Sequence, residues 1–180
     1  MKAVFLDRDG VINRATVRDG KPYPPRGVEQ LEILPDVPAA LEALKARGFL
    51  LLVVTNQPDV ARGTESRSTV EAMHESLRTR LPLDDFFVCY HDDRDACVCR
   101  KPLPGLILEG ARKYGVDLAQ SFMVGDRWRD VEAGARAGVR TVFLDYGYRE
   151  RRPEAPDAVV RSMAEAAEWV LQQHDAGSKQ

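Results

Sequence analysis

Five short apolar runs alternate along the chain with longer amphipathic segments. The apolar runs have the length of buried parallel strands, and they predict strands at residues 3–7, 49–55, 85–89, 121–125 and 141–145. The segments between them space apolar residues three or four positions apart, and most have a glycine near their end. They predict helices at residues 37–48, 66–81, 103–115 and 127–139, followed by a last helix at 163–173. Such alternation predicts an α/β fold: a doubly wound, Rossmann-like, mostly parallel sheet of about five or six strands with helices on both faces.

The bulk composition narrows the class of protein. A chain of 180 residues with 44% hydrophobic and 30% charged residues suits one domain over residues 1–180, with residues 174–180 expected to form a frayed tail. A net charge of -2 provides no basic surface for nucleic acid. The N-terminal apolar run is too short for a signal peptide, and no stretch approaches the length of a membrane span. We therefore expect a cytoplasmic monomer that binds neither nucleic acid nor membrane.

Polar side chains follow the predicted strands at the points where they end. Asp7 and Asp9 close the first strand, Thr55 and Asn56 the second, and Asp126 the fourth. A single D-x-D pair is often only a solvated turn. Three polar strand ends facing one crevice are more informative, because ligands of doubly wound sheets bind beyond the carboxyl ends of the strands.

This set of residue types suits phosphoryl transfer. A carboxylate can attack phosphorus, a second acid can protonate the leaving oxygen, and Mg²⁺ prefers the hard oxygens that aspartates supply. The ammonium of Lys101 and the hydroxyl and amide of Thr55 and Asn56 can hold phosphoryl oxygens.

Four motifs, FLDRDGVIN, VVTNQ, CRKP and VGDRWRD, occur in that order in the chain. Together they resemble the haloacid dehalogenase superfamily, in particular its heptose bisphosphate and histidinol phosphate phosphatases. The resemblance implies that Asp7 is the nucleophile, Asp9 the general acid and base, Thr55 a phosphoryl contact and Lys101 the fixed positive charge. It also implies Mg²⁺ bound by the Asp7 carboxylate, the Asp9 backbone carbonyl and Asp126. No gap between the motifs is long enough for a cap domain.

All three cysteines lie within eleven residues and share that segment with a histidine. Cys89, His91, Cys97 and Cys99 combine three thiols with an imidazole, a set that favours tetrahedral Zn²⁺. The alternative is a group of free buried cysteines beside a surface histidine. A site closed by four protein ligands predicts a structural ion, and the resemblance implies a zinc loop over residues 89–99 beside the active site.

Substrate selection is expected to depend on loops. Arg100 offers a bidentate fork for a second phosphate or a sugar hydroxyl, Asn56 lies beside the phosphoryl site, and Arg62 and Arg18 can add positive charge. Asp130 is either close to the metal and substrate or simply an acid that favours the start of a helix.

Other residues receive simpler expectations. His74 and His174 are expected in solvent, Arg127 and Arg129 on the surface, and Trp128 in packing. Residues 14–35 form a long segment rich in proline and glycine, and such loops are often functional.

The leading hypothesis is a Mg²⁺-dependent phosphomonoesterase acting on a sugar phosphate, with a heptose 1,7-bisphosphate as the first candidate substrate. Histidinol phosphate and other sugar phosphates are the rival substrates. A phosphate-sensing protein without turnover and a phosphoryl transferase that uses an acceptor other than water are the alternatives of other classes.

Overall fold

The computed structural model describes residues 1–177 and contains eight strands. They are β1 (Lys2–Leu6), β2 (Thr16–Arg18), β3 (Lys21–Tyr23), β4 (Phe49–Asn56), β5 (Asp85–Cys89), β6 (Phe122–Gly125), β7 (Arg140–Leu144) and β8 (Ala158–Val160). Each of the five predicted strands is present within one or two residues of its expected bounds. The short β8 is a sixth strand of the main sheet, because its three residues pair with the exposed edge of β7.

Five helices connect or cover the strands. They are α1 (Val37–Ala46), α2 (Arg67–Arg80), α3 (Gly105–Tyr114), α4 (Trp128–Ala137) and α5 (Met163–Gly177). Ser66 caps α2 by accepting a hydrogen bond from the Thr69 amide at 3.1 Å. Gly115 and Gly138 end α3 and α4 in the left-handed conformation, as the glycine positions predicted. The last helix runs to Gly177, so the tail expected to fray from residue 174 is helical through that glycine; residues 178–180 lie outside the described part.

The six main strands lie in the order β5-β4-β1-β6-β7-β8, and every pairing between them is parallel. The strand order reverses around β1, which therefore lies at the switch point of a doubly wound sheet. The predicted fold class is confirmed. The carboxyl ends of β1, β4 and β6 meet at one edge, and this arrangement determines where the site forms.

The core consists of two apolar layers, one on each face of the sheet. Alternate residues of β1 pack into the two layers: Val4 and Leu6 lie in one, and Ala3 and Phe5 lie in the other. Helices α1, α2 and α5 cover the first layer, and α3 and α4 cover the second. Because the strands are apolar on both faces, polar side chains are concentrated where the strands end.

Between β1 and α1 the chain contains only the β2–β3 hairpin and one turn of 3₁₀ helix at Val28–Gln30. Among residues 1–177 there is accordingly no inserted cap domain, as expected. The described helices also include none that is long and apolar enough to cross a membrane.

Candidate active site

A crevice of about 310 Å³ opens at the carboxyl edge of the sheet, above the ends of β1, β4 and β6. Residues of the hairpin β2–β3 form one wall, and the segment after β5 forms another. Five of the residues expected from the sequence to act together line it: Asp7, Asp9, Asn56, Lys101 and Asp126. The sheet thus brings together residues that are up to 119 positions apart in the chain, from Asp7 to Asp126.

Lys101 lies at the floor of the crevice and is almost fully buried. Its Nζ lies 2.8 Å from Asp7 Oδ1 and 2.6 Å from Asp130 Oδ1, and it donates to the Val54 carbonyl at 2.8 Å. Burial alone would lower the pKa of Lys101, but the two carboxylates reverse that effect and raise it. Lys101 is therefore a fixed positive charge.

Asp7, Asp126 and Asp130 form a buried cluster of acids around this lysine, with oxygen atoms within 4.8 Å of one another. Burial raises the pKa of Asp7 to about 6, against the opposing effect of Lys101. Burial, together with the charges of Asp7 and Asp130, raises the pKa of Asp126 well above its ordinary value. Three acids next to a single ammonium leave an excess of negative charge that a cation would neutralise.

The position of Asp126 is consistent with such a cation. Its Oδ2 accepts a hydrogen bond from the Tyr148 hydroxyl at 2.8 Å, whereas its Oδ1 is buried without a hydrogen-bond partner. Gly10 has φ +86°, and a Cβ there would lie 1.9 Å from Asp126 Oδ2. The close approach of this turn to the carboxylate therefore requires glycine. A carboxylate oxygen placed in this way can bind a hard cation.

The carboxylate of Asp9 points away from this cluster. It accepts from the Arg8 guanidinium at 2.9–3.1 Å, from Asn13 Nδ2 at 2.9 Å and from Gln57 Nε2 at 3.0 Å. Burial would raise the pKa of Asp9, but Arg8 and the hydrogen bonds of Asn13 and Gln57 together lower it. In this structure Asp9 is thus held as a carboxylate, and its side chain remains 17% exposed toward the crevice.

The end of β4 holds other site residues in place. Asn56 donates to the Lys101 carbonyl at 3.0 Å and accepts from the Lys101 amide at 3.1 Å, so its amide fixes the backbone of the lysine. Thr55 is buried, and its Oγ1 accepts from Gln57 Nε2 at 3.0 Å. Gln57 therefore joins Thr55 to Asp9.

The predicted zinc ligands lie together next to the crevice. The Sγ atoms of Cys89, Cys97 and Cys99 and the Nδ1 of His91 are all within 4.8 Å of one another. Cys99 Sγ lies 3.1 Å from Cys89 Sγ and 3.3 Å from His91 Nδ1. Four ligands at zinc–sulfur distances of about 2.3 Å would be separated by ~3.8 Å, so small shifts would fit an ion.

Acidic residues of the cysteine loop, residues 89–99, hold arginines at the mouth of the crevice. Arg100 donates to Asp93 Oδ1 at 2.9 Å, and Arg129 Nη1 lies 3.3 Å from the same oxygen. Arg62 pairs with Asp92 at 2.6 Å. All three arginines line the crevice. Arg129 was expected only on the surface, but the first turn of α4 directs it toward this wall.

Several expectations for other residues require correction. His74 is not in solvent: it is only 6% exposed, and its Nε2 lies 3.0 Å from Arg8 Nη1. His174 is half-buried, with its ring 5.4 Å from that of Phe49. Arg18 lies in the hairpin over the ring of Tyr23 and is not among the residues lining the crevice.

The flanking residues of α4 also have specific partners. Arg127 pairs with Glu150 and borders the crevice, and the Trp128 ring packs under the guanidinium groups of Arg129 and Arg151. Asp130 accepts from the Arg127 amide at 3.0 Å, so it caps the helix while also pairing with Lys101. The expected role at the start of the helix is thus observed, and proximity of Asp130 to a metal or substrate stays a prediction.

Sequence reasoning missed Arg8, Asn13, Gln57 and Tyr148. Three of them lie inside the quoted motifs FLDRDGVIN and VVTNQ, directly beside the predicted site residues, which was an available signal. Tyr148 lies 22 positions after Asp126 in a loop, where no spacing rule connects it to that acid.

The fold and the site match one family of known proteins. Residues 16–138 match the model of the haloacid dehalogenase-like hydrolases. A D-glycero-beta-D-manno-heptose-1,7-bisphosphate 7-phosphatase of Escherichia coli O6:H1 is 38% identical over 94% of this chain and 88% of its own length. The enzyme of the same name from Bordetella bronchiseptica is 34% identical over 96% and 99%.

Solved structures agree. The D,D-heptose 1,7-bisphosphate phosphatase of B. bronchiseptica, complexed with magnesium and phosphate, superposes with a TM-score of 0.79 at 32% identity, covering 96% of this chain and 99% of that one. A HAD-like phosphatase described as putative from Mesorhizobium loti superposes at 0.77 with 26% identity, covering 97% and 87%. The chain therefore belongs to the haloacid dehalogenase-like hydrolases and is a phosphatase of that family.

Proposed function

We propose that this phosphatase hydrolyses the 7-phosphate of a D-glycero-D-manno-heptose 1,7-bisphosphate, releasing heptose 1-phosphate. The observation that carries the proposal is the Asp7 carboxylate 2.8 Å from the buried Lys101 ammonium, on the floor of a crevice bordered by arginines. The relatives named for this activity extend over most of the chain, which supports the choice of substrate.

In the first half-reaction, an Asp7 oxygen attacks phosphorus and the bond between phosphorus and the sugar oxygen breaks. Asp9 lies two residues along the same turn and, when the substrate binds, takes up the proton that it then gives to the departing oxygen. Lys101 faces the phosphoryl oxygens and offsets the charge that develops on them, and the Thr55 hydroxyl is the second proposed phosphoryl contact. The products are the free sugar hydroxyl and a phosphorylated Asp7.

In the second half-reaction, Asp9 removes a proton from a water molecule that attacks the phosphorylated Asp7. The acyl phosphate is cleaved between phosphorus and the Asp7 oxygen, which releases phosphate and regenerates the carboxylate. The hydrogen bonds from Asn13 and Gln57 hold Asp9 in the carboxylate form that this step requires. Asn56 contributes by fixing the Lys101 backbone.

We propose that Mg²⁺ is held by the carboxylates of Asp7 and Asp126 and the backbone carbonyl of Asp9, with Asp130 close by. When bound, it would screen the repulsion between an anionic nucleophile and an anionic phosphate. The unpartnered Asp126 Oδ1 and the oxygen-rich cluster fit this hard cation.

Replacing Tyr148 with phenylalanine is expected to weaken Mg²⁺ binding by about tenfold, because a hydroxyl that orients a ligand carboxylate is lost. The measurement is calorimetric titration of the metal-free protein with Mg²⁺, without substrate. Tyr146→Phe is the matched control, since the Tyr146 ring lies 5.7 Å from that of Tyr148, tilted by 41°, but its hydroxyl is not the one that donates to Asp126. Equal Mg²⁺ affinities for Tyr148→Phe and the unsubstituted protein would contradict this role.

We propose that Cys89, His91, Cys97 and Cys99 bind a structural Zn²⁺. The cluster lies between β5 and Lys101, and Arg100, one residue after the last ligand, donates to the His91 carbonyl at 3.3 Å. An ion here would fix the loop that carries Arg100 and Lys101. Its binding energy would add to the stability of the folded state.

Metal analysis of the purified protein is expected to find about one zinc per chain, and Cys97→Ser is expected to lose it, with a lower melting temperature and a higher KM. Val98→Ser is the matched control, because Val98 is 80% exposed within the same loop. Retention of zinc by the Cys97→Ser protein would refute the proposed ligand set.

The crevice supports a small phosphorylated sugar as substrate. Arg100 and Arg62 are partly neutralised by acids of the cysteine loop, yet they line the opening. A second phosphate can exchange with these carboxylates as the partner of the guanidinium groups, because Arg forms bidentate pairs with both. Substrate choice therefore depends on the loops at the mouth of the crevice.

The deciding experiment measures phosphate release, with and without Mg²⁺, from both anomers of heptose 1,7-bisphosphate, from histidinol phosphate and from fructose 1,6-bisphosphate. The ratio of kcat/KM values identifies the substrate, and phosphorus NMR identifies which phosphate leaves. Preference for histidinol phosphate would overturn the substrate assignment. Binding of phosphate analogues without turnover of any phosphomonoester would overturn the enzymatic function.

A further inference from the structure

Arg8 has the largest fully buried side chain of the described residues, although it lies between two site acids. Its Nε and Nη2 donate to the Asp9 carboxylate at 2.9–3.1 Å, forming a bidentate pair between neighbouring residues. A buried guanidinium needs acceptors for its remaining N–H groups, since a donor left unsatisfied in the interior is strongly destabilising. The partner on the far side of Arg8 is therefore important.

That partner is His74 on α2, whose Nε2 lies 3.0 Å from Arg8 Nη1. A guanidinium has donors only, so Nε2 must be the acceptor and the ring must be neutral, with its proton on Nδ1. Burial, with the nearby charge of Arg8, lowers the pKa of His74 to about 3, which agrees with a neutral ring. His74 and Asp9 thus hold Arg8 from opposite sides.

The ring of His74 is itself fixed. It stacks on Phe86 of β5, with ring centroids 4.8 Å apart and an interplanar angle of 25°. Behind it lies a groove lined by charged residues of α2, among them Glu71, Glu75 and Arg78. The imidazole therefore forms a rigid link between the outer edge of the sheet and the turn that carries the site acids.

We infer that His74 is a positioning residue for the reaction, acting through Arg8 to hold the Asp9 carboxyl group at the angle from which it gives its proton to the leaving oxygen. The inference rests on the proposed function, in which Asp9 is the general acid and base. Asp9 is fixed on one side by the pair Arg8–His74 and on the other by Asn13 and Gln57.

The arrangement is more specific than ordinary packing. A buried position between an aromatic ring and a helix could be filled by leucine or methionine, which carry no polar group to satisfy. Packing alone therefore does not explain a histidine at position 74. The contact between its ring nitrogen and the Arg8 guanidinium does. Loss of that acceptor leaves Arg8 free to change its rotamer, and a displacement of about 1 Å at a reacting group can cost about 100-fold in rate.

The test compares His74→Met, which fills the volume without an acceptor, with His74→Gln, whose side-chain carbonyl can accept from Arg8. The substrates are heptose 1,7-bisphosphate, whose alkoxide leaving group requires protonation, and 4-nitrophenyl phosphate, whose leaving group does not. The quantity compared is kcat/KM, because it reports only the steps up to and including phosphorylation of Asp7. Proton donation by Asp9 to the leaving oxygen belongs to those steps. Glu75→Gln, a neighbour on α2 that is 69% exposed, is the control.

We expect His74→Met to lower kcat/KM for the sugar bisphosphate by about 10- to 100-fold and for 4-nitrophenyl phosphate by no more than about threefold, with His74→Gln restoring most of the loss. Circular dichroism and melting temperatures are measured in parallel, so that a purely structural defect is recognised as an equal loss on both substrates. Equal losses, or no loss at all, would overturn the inference. Failure of the unsubstituted protein to hydrolyse either substrate would instead overturn the proposed function.

Discussion

Asp7→Asn is expected to abolish turnover of every phosphomonoester, with a loss of kcat of at least about 10⁴-fold, because the chain loses the oxygen that attacks phosphorus. Asparagine keeps the shape of the side chain but is a poor nucleophile and has no charge. It also removes one proposed Mg²⁺ ligand and one partner of Lys101.

The measurement is single-turnover phosphate release together with incorporation of labelled phosphate into the chain. The unsubstituted protein should acquire a label that is absent from Asp7→Asn. The control is Asp145→Asn, because Asp145 follows the buried β7 as Asp7 follows β1 but pairs with Arg152 outside the crevice. Turnover or labelling that survives in Asp7→Asn would identify a different nucleophile.

Lys101→Met is expected to lower the free energy of unfolding at pH 7 by about 3–5 kcal/mol, and to abolish activity as well. Removing one partner of a buried pair leaves the other charges uncompensated, and here Asp7 and Asp130 both lose their cation. Burial then raises the pKa of Asp7 further above its present value of about 6. The folded state must then either bind protons at these carboxyl groups or become less stable because it buries unpaired anions.

The loss of stability in Lys101→Met should depend on pH in a defined direction. An acid whose pKa is higher in the folded than in the unfolded state stabilises the folded state at pH values below its unfolded pKa, near 3.9. That contribution is lost as the pH rises through the pKa that the acid has in the folded state. The difference between Lys101→Met and the unsubstituted protein should therefore narrow toward pH 4 and widen above pH 6. Urea unfolding of the metal-free proteins at several pH values measures it.

Lys113→Met is the matched control for this experiment. Lys113 also pairs with an aspartate, Asp85, at 2.7 Å, but its side chain is 58% exposed, and exposed pairs contribute little to stability. Its loss should change the unfolding midpoint only slightly at any pH. Similar effects for the two lysines would show that Lys101 acts merely as a surface charge.

The sheet and most helices could be predicted because their signals are local. Apolar runs such as FLLLVVT are buried on both faces and need no distant partner to be recognised as strands. Glycines at the ends of α3 and α4 mark where the chain reverses. The polar strand ends then located the crevice, because parallel strands place their carboxyl ends on one edge.

The sequence was less informative wherever a side chain depends on a partner far away in the chain. Helical spacing placed His74 on the solvent face of α2, yet this histidine is buried because Arg8, 66 positions earlier, needs an acceptor there. Tyr148 and Asp126 likewise meet only after β7 has paired with β6 and the loop that follows β7 has reached the turn after β1. The spacing of residues along the sequence does not reveal such pairs, since they arise when separate helices, strands and loops pack together.

By itself, the sequence determined the α/β class, the order of the elements, the acids at the strand ends and the clustering of three cysteines with one histidine just before Lys101. These follow from short-range patterns and from the topology that parallel strands impose. The tertiary structure decided which way each side chain faces: Asp9 toward Arg8, Asn56 toward the Lys101 backbone, and Asp130 toward the Lys101 ammonium. Those directions result from burial, because inside the protein each polar group must find a partner, and only the folded chain supplies it.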